Sequence, residues 1–184
     1  MDIQQFLHEY NRGDRNFSGI VLHGADLRGA KLSGIDLSRA DLSGVDLRDA
    51  DLSRATLTHA NLTNADLSRI DLSGADLRDV NLIGSEIMEA SLVGANLERA
   101  DLRMVNLDYS DLQGARLHQV LLDGATLRDV NLRCVLIEQT NLNDADLTGS
   151  TLTHAENCDL EMATGISHQW VSWGAHSLEN CVST

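Results

Sequence analysis

The sequence predicts an all-β solenoid wound as a square coil, on three observations. From Phe17, in steps of five, to Leu152, 28 consecutive positions hold only Leu, Ile or Phe. The residue two before each of these centres is small or β-branched, with 14 Ala, nine Ile or Val, three Ser and one Thr; only Arg15, at the very start, departs. Two residues after the centre stand 11 of the chain's 14 glycines. A period of five fits neither the 3.6-residue helix nor the two-residue strand. The chain must therefore turn at every block, and glycine supplies the positive φ of a type II turn at low cost. Four near-right-angle turns close a square of 20 residues. The centre and the residue two before it point inward, and the other three point outward. On that plan the repeat makes about seven four-block coils, stacked at strand spacing into a rod of roughly 34 Å. The residue before each centre is Asp in 11 blocks and Asn in seven, types that hydrogen-bond nearby backbone.

Residues 1–14 lie outside the repeat. Ile3, Phe6, Leu7 and Tyr10 share one face of a helix, Asp2 and Gln5 resemble a capping box, and Gly13 stands where helices commonly stop. So short a helix needs a surface to pack on, and it is expected to cap the first coil. The repeat occupies residues 15–156, and its frame fails at Asn157, where the next Leu is due. Residues 157–184 contain Trp170 and Trp173 and are expected to form the C-terminal cap, because a stacked repeat exposes apolar cross-section and backbone edges at both ends. The two tryptophans are also a possible contact for a homodimer.

The chain of 184 residues carries a net charge of −14. Such a surface repels nucleic acid and anionic membranes and favours basic partners. No stretch of 18 apolar residues is present, and residues 1–14 do not read as a secretory leader, so the cytoplasm is the expected location. Cys134, Cys158 and Cys181 are odd in number and lack metal-ligand spacing. They are read as reduced thiols, with Cys134 on the surface.

The Ala-(Asp/Asn)-Leu-x-x blocks resemble the pentapeptide-repeat family, over Arg15 to about Ala155. The resemblance implies a right-handed quadrilateral β-helix with four blocks per coil. The opening segment from Tyr10 to Gly19 looks like those of cyanobacterial members. Most members have no assigned activity. A subset protects DNA gyrase from quinolones; those proteins are acidic, dimerise through their C-terminal ends and resemble DNA in shape and charge. Some of them carry loops that touch gyrase, and the run from Phe17 to Leu152 has none.

Catalysis needs convergent groups in a recess, whereas this plan fills the interior with Leu and Ala and leaves flat exterior sides. None of the histidines (His8, His23, His59, His118, His154, His168, His176) forms a His-x-x-x-His pair, and no calcium loop or phosphate loop occurs. A non-enzymatic protein without metal or cofactor is expected. Charge is more informative. The side built on Leu22, Leu42, Leu62, Leu82, Leu102, Leu122 and Leu142 sums to −3, and the next side, on Leu27, Leu47, Leu67, Ile87, Leu107, Leu127 and Leu147, sums to −5; the other two are neutral. Asp41, Asp46, Asp49, Glu86, Glu89, Asp101, Asp108 and Asp123 thus form candidate acidic docking faces. Ile83, Met88, Val93, Met104, Tyr109, Leu121 and Leu136 are apolar residues in outward slots. The reading is a rigid interaction scaffold for a protein partner with a basic surface. The alternative is a DNA-mimicking ligand of gyrase or a related topoisomerase.

Overall fold

The computed structural model describes residues 2–152 and 163–165. The chain folds into α1 (Ile3–Asn11) followed by a stack of coils tied together by parallel β-bridges. The bridges pair residues 20 apart, beginning with Asn16↔Asp36. Four short strands stand out where the pairing is longest: β1 (Arg116–His118), β2 (Asn131–Leu132), β3 (Leu136–Glu138) and β4 (Thr151–Leu152). β1 pairs with β3 and β2 with β4, both parallel and again 20 apart. Corners recur every fifth residue, so each coil has four sides.

One block shows why these residue types recur. In Val45–Asp49 the Val45 N–H closes the turn on Leu42 O (3.1 Å), Asp46 N donates to Ala25 O of the coil below (2.9 Å), and Leu47 and Asp49 donate to Asp66 O and Ser68 O of the coil above (2.8 and 3.1 Å). The remaining N–H, that of Arg48, has no backbone partner and donates to the Asp46 carboxylate at 3.2 Å. An unsatisfied amide is costly. Asp or Asn before the centre supplies the fifth acceptor, as in Asp36 to Ser38 N, Asn61 to Thr63 N and Asn141 to Asn143 N.

The corner residue has positive φ in every block from Gly19 to Gly149, from 51° at Gln139 to 77° at Gly149. Glycine was the expected occupant. Sixteen other residues, among them Arg39, His59, Met104 and Tyr109, adopt the same conformation. Each costs about 1 kcal/mol or more relative to glycine, which the ladder and the core must offset. Inside, Leu32, Leu42, Leu57, Leu77 and Leu92 are fully buried, and the alanines, valines and isoleucines beside the centres are buried from Ile35 onward, with Ile20 and Ala30 of the first coil only partly so. The channel between Leu92, Leu97, Leu102 and their neighbours is too tight for water.

Interior hydroxyls modify some corners. Ser110 is buried; its Oγ receives the Ala90 N–H (3.1 Å) and donates to Ile87 O (2.6 Å), taking the place of the direct turn bond of the coil below. Ser150 bridges Val130 N and Leu127 O in the same way, and Thr140 donates to Leu117 O. Ser85 bonds Leu82 O within its own turn instead.

α1 covers the first coil. Gln5 N donates to Asp2 Oδ1 at 2.7 Å, half of a capping box; the Gln5 side chain goes forward to Glu9 rather than back to Asp2. Phe6 is fully buried, edge-on to Phe17 with ring centroids 4.8 Å apart. Tyr10 donates its hydroxyl to Ser33 O (2.9 Å). Arg15, the one departure in its slot, lies over the Tyr10 ring at 4.0 Å and donates to Tyr10 O, so it serves the cap rather than the core. At the other end Asp146 bridges Thr164, 18 residues on, where the regular register would bring Ile166. The rest of the segment 157–184, with Trp170, Trp173, Cys158 and Cys181, lies outside the described residues.

Cys134 corrects the sequence reading: it is disulfide-bonded rather than a surface thiol. Three cysteines counted along a chain carry no distances.

Two outcomes are expected. Leu77→Asp, which places a charge where exposure is zero, costs at least about 4 kcal/mol and abolishes the cooperative urea transition. Ser110→Val adds one carbon to the buried corner and leaves Ala90 N–H without its acceptor, lowering stability by about 1–3 kcal/mol in denaturant unfolding; Ser110→Ala costs less, because the smaller side chain lets the turn close directly.

Candidate docking faces

The outward slots stack in columns, one residue per coil, about 4.8 Å apart. Down the most acidic side the residues before the centre are Asp26, Asp46, Asp66, Glu86, Asn106, Thr126 and Asp146, joined bridge to bridge. Such a column of like charges repels itself unless cations interleave. In the low-numbered half they do. Arg28 clamps Asp26 through Nε and Nη2 (2.9 and 2.6 Å) and approaches Asp46 at 3.6 Å. Arg48 clamps Asp46 likewise (2.9 and 2.5 Å) and approaches Asp66 at 3.4 Å.

The eight acidic residues singled out in the sequence therefore divide by environment. Asp46, Asp49 and Asp101 are held in two-point ion pairs by Arg48, Arg69 and Arg103. In each the guanidinium is the main cause of a carboxyl pKa below its ordinary value. Asp41 accepts from Ser43 Oγ (2.6 Å), Ser43 N (3.1 Å) and Asn61 Nδ2 (3.3 Å), and the serine hydroxyl chiefly lowers its pKa. Asp108 is not a surface acid: it is 8% exposed and accepts the Arg128 N–H at 2.9 Å. Thr126, before that centre, has no carboxylate to serve the amide, so the coil below supplies one. Among the described residues, Glu86 and Asp123 accept only from Asn106 Nδ2 and Asn141 Nδ2, each at 2.9 Å. Glu89 is exposed, and neither it, Glu86 nor Asp123 forms an ion pair among the described residues. Of the −8 on the two acidic sides, −6 falls on blocks from residue 80 upward.

Apolar residues stand among these free acids. Met104 and Tyr109, at consecutive corners of one coil, are 68% and 59% exposed, and Leu121 is 38% exposed. Val21, Val93 and Leu136 are also exposed but stand apart, at the first coil or on other sides. Sequence position could name Met104 and Tyr109 as outward but not show that the unpaired acids gather around them; that needed the arginine pairings.

A recess of about 250 Å³ on a neutral side is lined by Glu98, Arg116, His118, Leu136 and Glu138. His118 Nδ1 lies 3.4 Å from Glu138 Oε2, and Glu98 pairs with Arg99. Among the described residues no group of three or more His, Cys, Asp or Glu is arranged to hold a metal ion, and no helix is long and apolar enough to cross a membrane.

The clamps carry a pH signature. Arg28, by its guanidinium and then its own N–H, pulls Asp26 down to about 2 from an ordinary value near 3.8; Asp146, held by the Thr148 hydroxyl and Arg128, also lies at about 2. Between these values the unfolded chain binds more protons than the folded one. Their contribution is present above about pH 4 and is lost as pH falls towards 2. The urea midpoint should fall across that window, and Arg28→Gln should return the Asp26 carboxyl towards 3.8 in an NMR titration.

The family of pentapeptide repeats (8 copies) matches residues 20–58, 35–74, 50–86, 65–103, 89–119, 100–135 and 122–161. Among solved structures, the chain is similar to HetL, a pentapeptide repeat protein involved in heterocyst differentiation regulation in the cyanobacterium Nostoc sp. strain PCC 7120, at 29% identity over 91% of this chain and 100% of that one, with a TM-score of 0.32. It is similar to alr5209, a pentapeptide repeat protein of Nostoc PCC 7120, at 32% identity over 64% and 84% of the two chains, TM-score 0.42. QnrB1, a plasmid-mediated fluoroquinolone resistance protein, is 22% identical over 80% and 87%, TM-score 0.42. No curated protein matches the chain. With its repeats matched from residue 20 to residue 161 and its coils bonded at intervals of 20, the chain belongs to the pentapeptide repeat family and is a right-handed β-helix solenoid.

Proposed function

We propose that this protein is a non-enzymatic interaction scaffold whose two adjacent acidic sides dock a protein with a basic surface. The observation that carries the reading is the division of the acids. Asp26, Asp46, Asp49, Asp101 and Asp146 are each clamped by an arginine, while Glu86, Glu89 and Asp123 form no close ion pair among the described residues, Arg69 and Arg103 reaching Glu89 and Asp123 only at longer range. Unpaired charge on a rigid backbone draws an oppositely charged partner and sets its orientation at little ordering cost. The interior is filled with Leu, Ala, Val and Ile, so any activity resides on the outer sides.

A DNA-mimicking ligand of gyrase is the second reading, favoured by the net charge of −14. Mimicry of a duplex calls for negative charge repeated along the whole rod. Here arginine clamps at Arg28, Arg48, Arg69, Arg103 and Arg128 interrupt that charge along the rod, which supports the scaffold reading instead.

Co-purification from the native cell, read by mass spectrometry, should return a basic protein. Its recovery should fall in the triple variant Glu86→Gln, Glu89→Gln, Asp123→Asn and at high salt, and persist in Asp26→Asn. Recovery indifferent to the triple variant would sink the scaffold reading. In a gyrase supercoiling assay no effect is expected, with or without a quinolone; inhibition or protection would decide for the mimic.

A further inference from the structure

We infer that the partner engages the acidic sides through a basic segment carrying apolar side chains, anchored between Met104 and Tyr109. This rests on the docking reading above and gives the chemistry of its occupant. Met104 lies on a column of corners whose neighbours above and below are Gly124 and Gly84, and its Sδ crosses the ledge left by Gly124, 2.8 Å from where a Cβ there would stand. Tyr109 lies on the next corner column, with Glu89 below it and Asp129 above. The two side chains thus bracket one side of one coil. Glu86 and Glu89 lie beneath that side, and Asp123 lies one coil up on the adjoining side beside Leu121. Both anchors adopt the left-handed conformation, yet remain more than half exposed and gain little packing in the free chain.

A purely basic partner would satisfy the carboxylates and leave these apolar groups wet. A purely apolar one would leave Glu86, Glu89 and Asp123 desolvated without cations, which is costly. Lysine or arginine next to apolar residues matches both. The thioether of Met104 adapts to irregular apolar shapes, and the Tyr109 ring offers a face for a cation. Charge complementarity therefore selects an amphipathic basic segment over a nucleic acid or an acidic peptide.

The test uses the full chain and two synthetic peptides of equal length and charge, one of Lys and Leu, the other of Lys and Gly, titrated at low salt by calorimetry. The Lys/Leu peptide should bind about tenfold more tightly, the value of burying one or two apolar side chains. The double variant Met104→Ser, Tyr109→Ser should erase that preference while leaving Lys/Gly binding unchanged. The triple variant Glu86→Gln, Glu89→Gln, Asp123→Asn should weaken both peptides. All five positions lie on the outer surface, so unfolding midpoints should hold and confirm intact folds. Equal binding of the two peptides, or a Leu preference that survives the double variant, overturns the inference and leaves acidic docking standing. Failure of both peptides to bind overturns the docking reading with it.

Discussion

A corner of positive φ every fifth residue is the constraint on which the rest of this molecule depends. It turns the chain often enough that residues 20 apart meet, and only then can the main chain of one coil bond to the next. Arg39, Asp49, Met104 and Tyr109 show that the constraint belongs to the coil rather than to glycine. Their neighbours in the stack have already set the path, so an unfavourable residue is carried by the bonds around it. Leucine burial rewards the arrangement, but a period of five would bury nothing without the bends.

The surface chemistry follows from what the backbone leaves over. Four of the five amides in a regular block find carbonyls, and the fifth needs a side chain, which is why Asp and Asn recur before the centre. Their abundance is therefore largely structural. The protein is acidic in part because its amides need acceptors, and the arginines at Arg28, Arg48 and Arg103 offset the repulsion this creates. What distinguishes one region is that Glu86, Glu89 and Asp123 form no close ion pair among the described residues, Arg69 and Arg103 reaching Glu89 and Asp123 only at longer range. A net charge of −14 taken alone would overstate the surface available to a partner.

Much of the fold was legible in the sequence, because strict phase reports inward and outward slots directly. The leucine centres, the small residues beside them and the helix over the first coil could all be read. The environments of the acids could not. Asp108 stands in an outward slot like any surface aspartate, and only the missing carboxylate at Thr126 signals that it will serve Arg128 N. Ser110 and Ser150 occupy the alanine slot and could pass for small fillers, although they rebuild the corner beneath them. Ser85 has the same residue type and does not, so the difference lies in three-dimensional setting. The bridge at Cys134 depends on a distance that no count of cysteines contains.

The independence of the ladder from most outward side chains has a further consequence. Because coils are joined chiefly through main-chain atoms, the exterior behaves as four columns of interchangeable characters on a fixed grid. A surface pattern can be shifted one storey by copying 20 residues, and it lands on the same wall with its spacing intact. Binding geometry in such a protein is thus set by arithmetic along the chain, and a new recognition site can be written without redesigning the shaft.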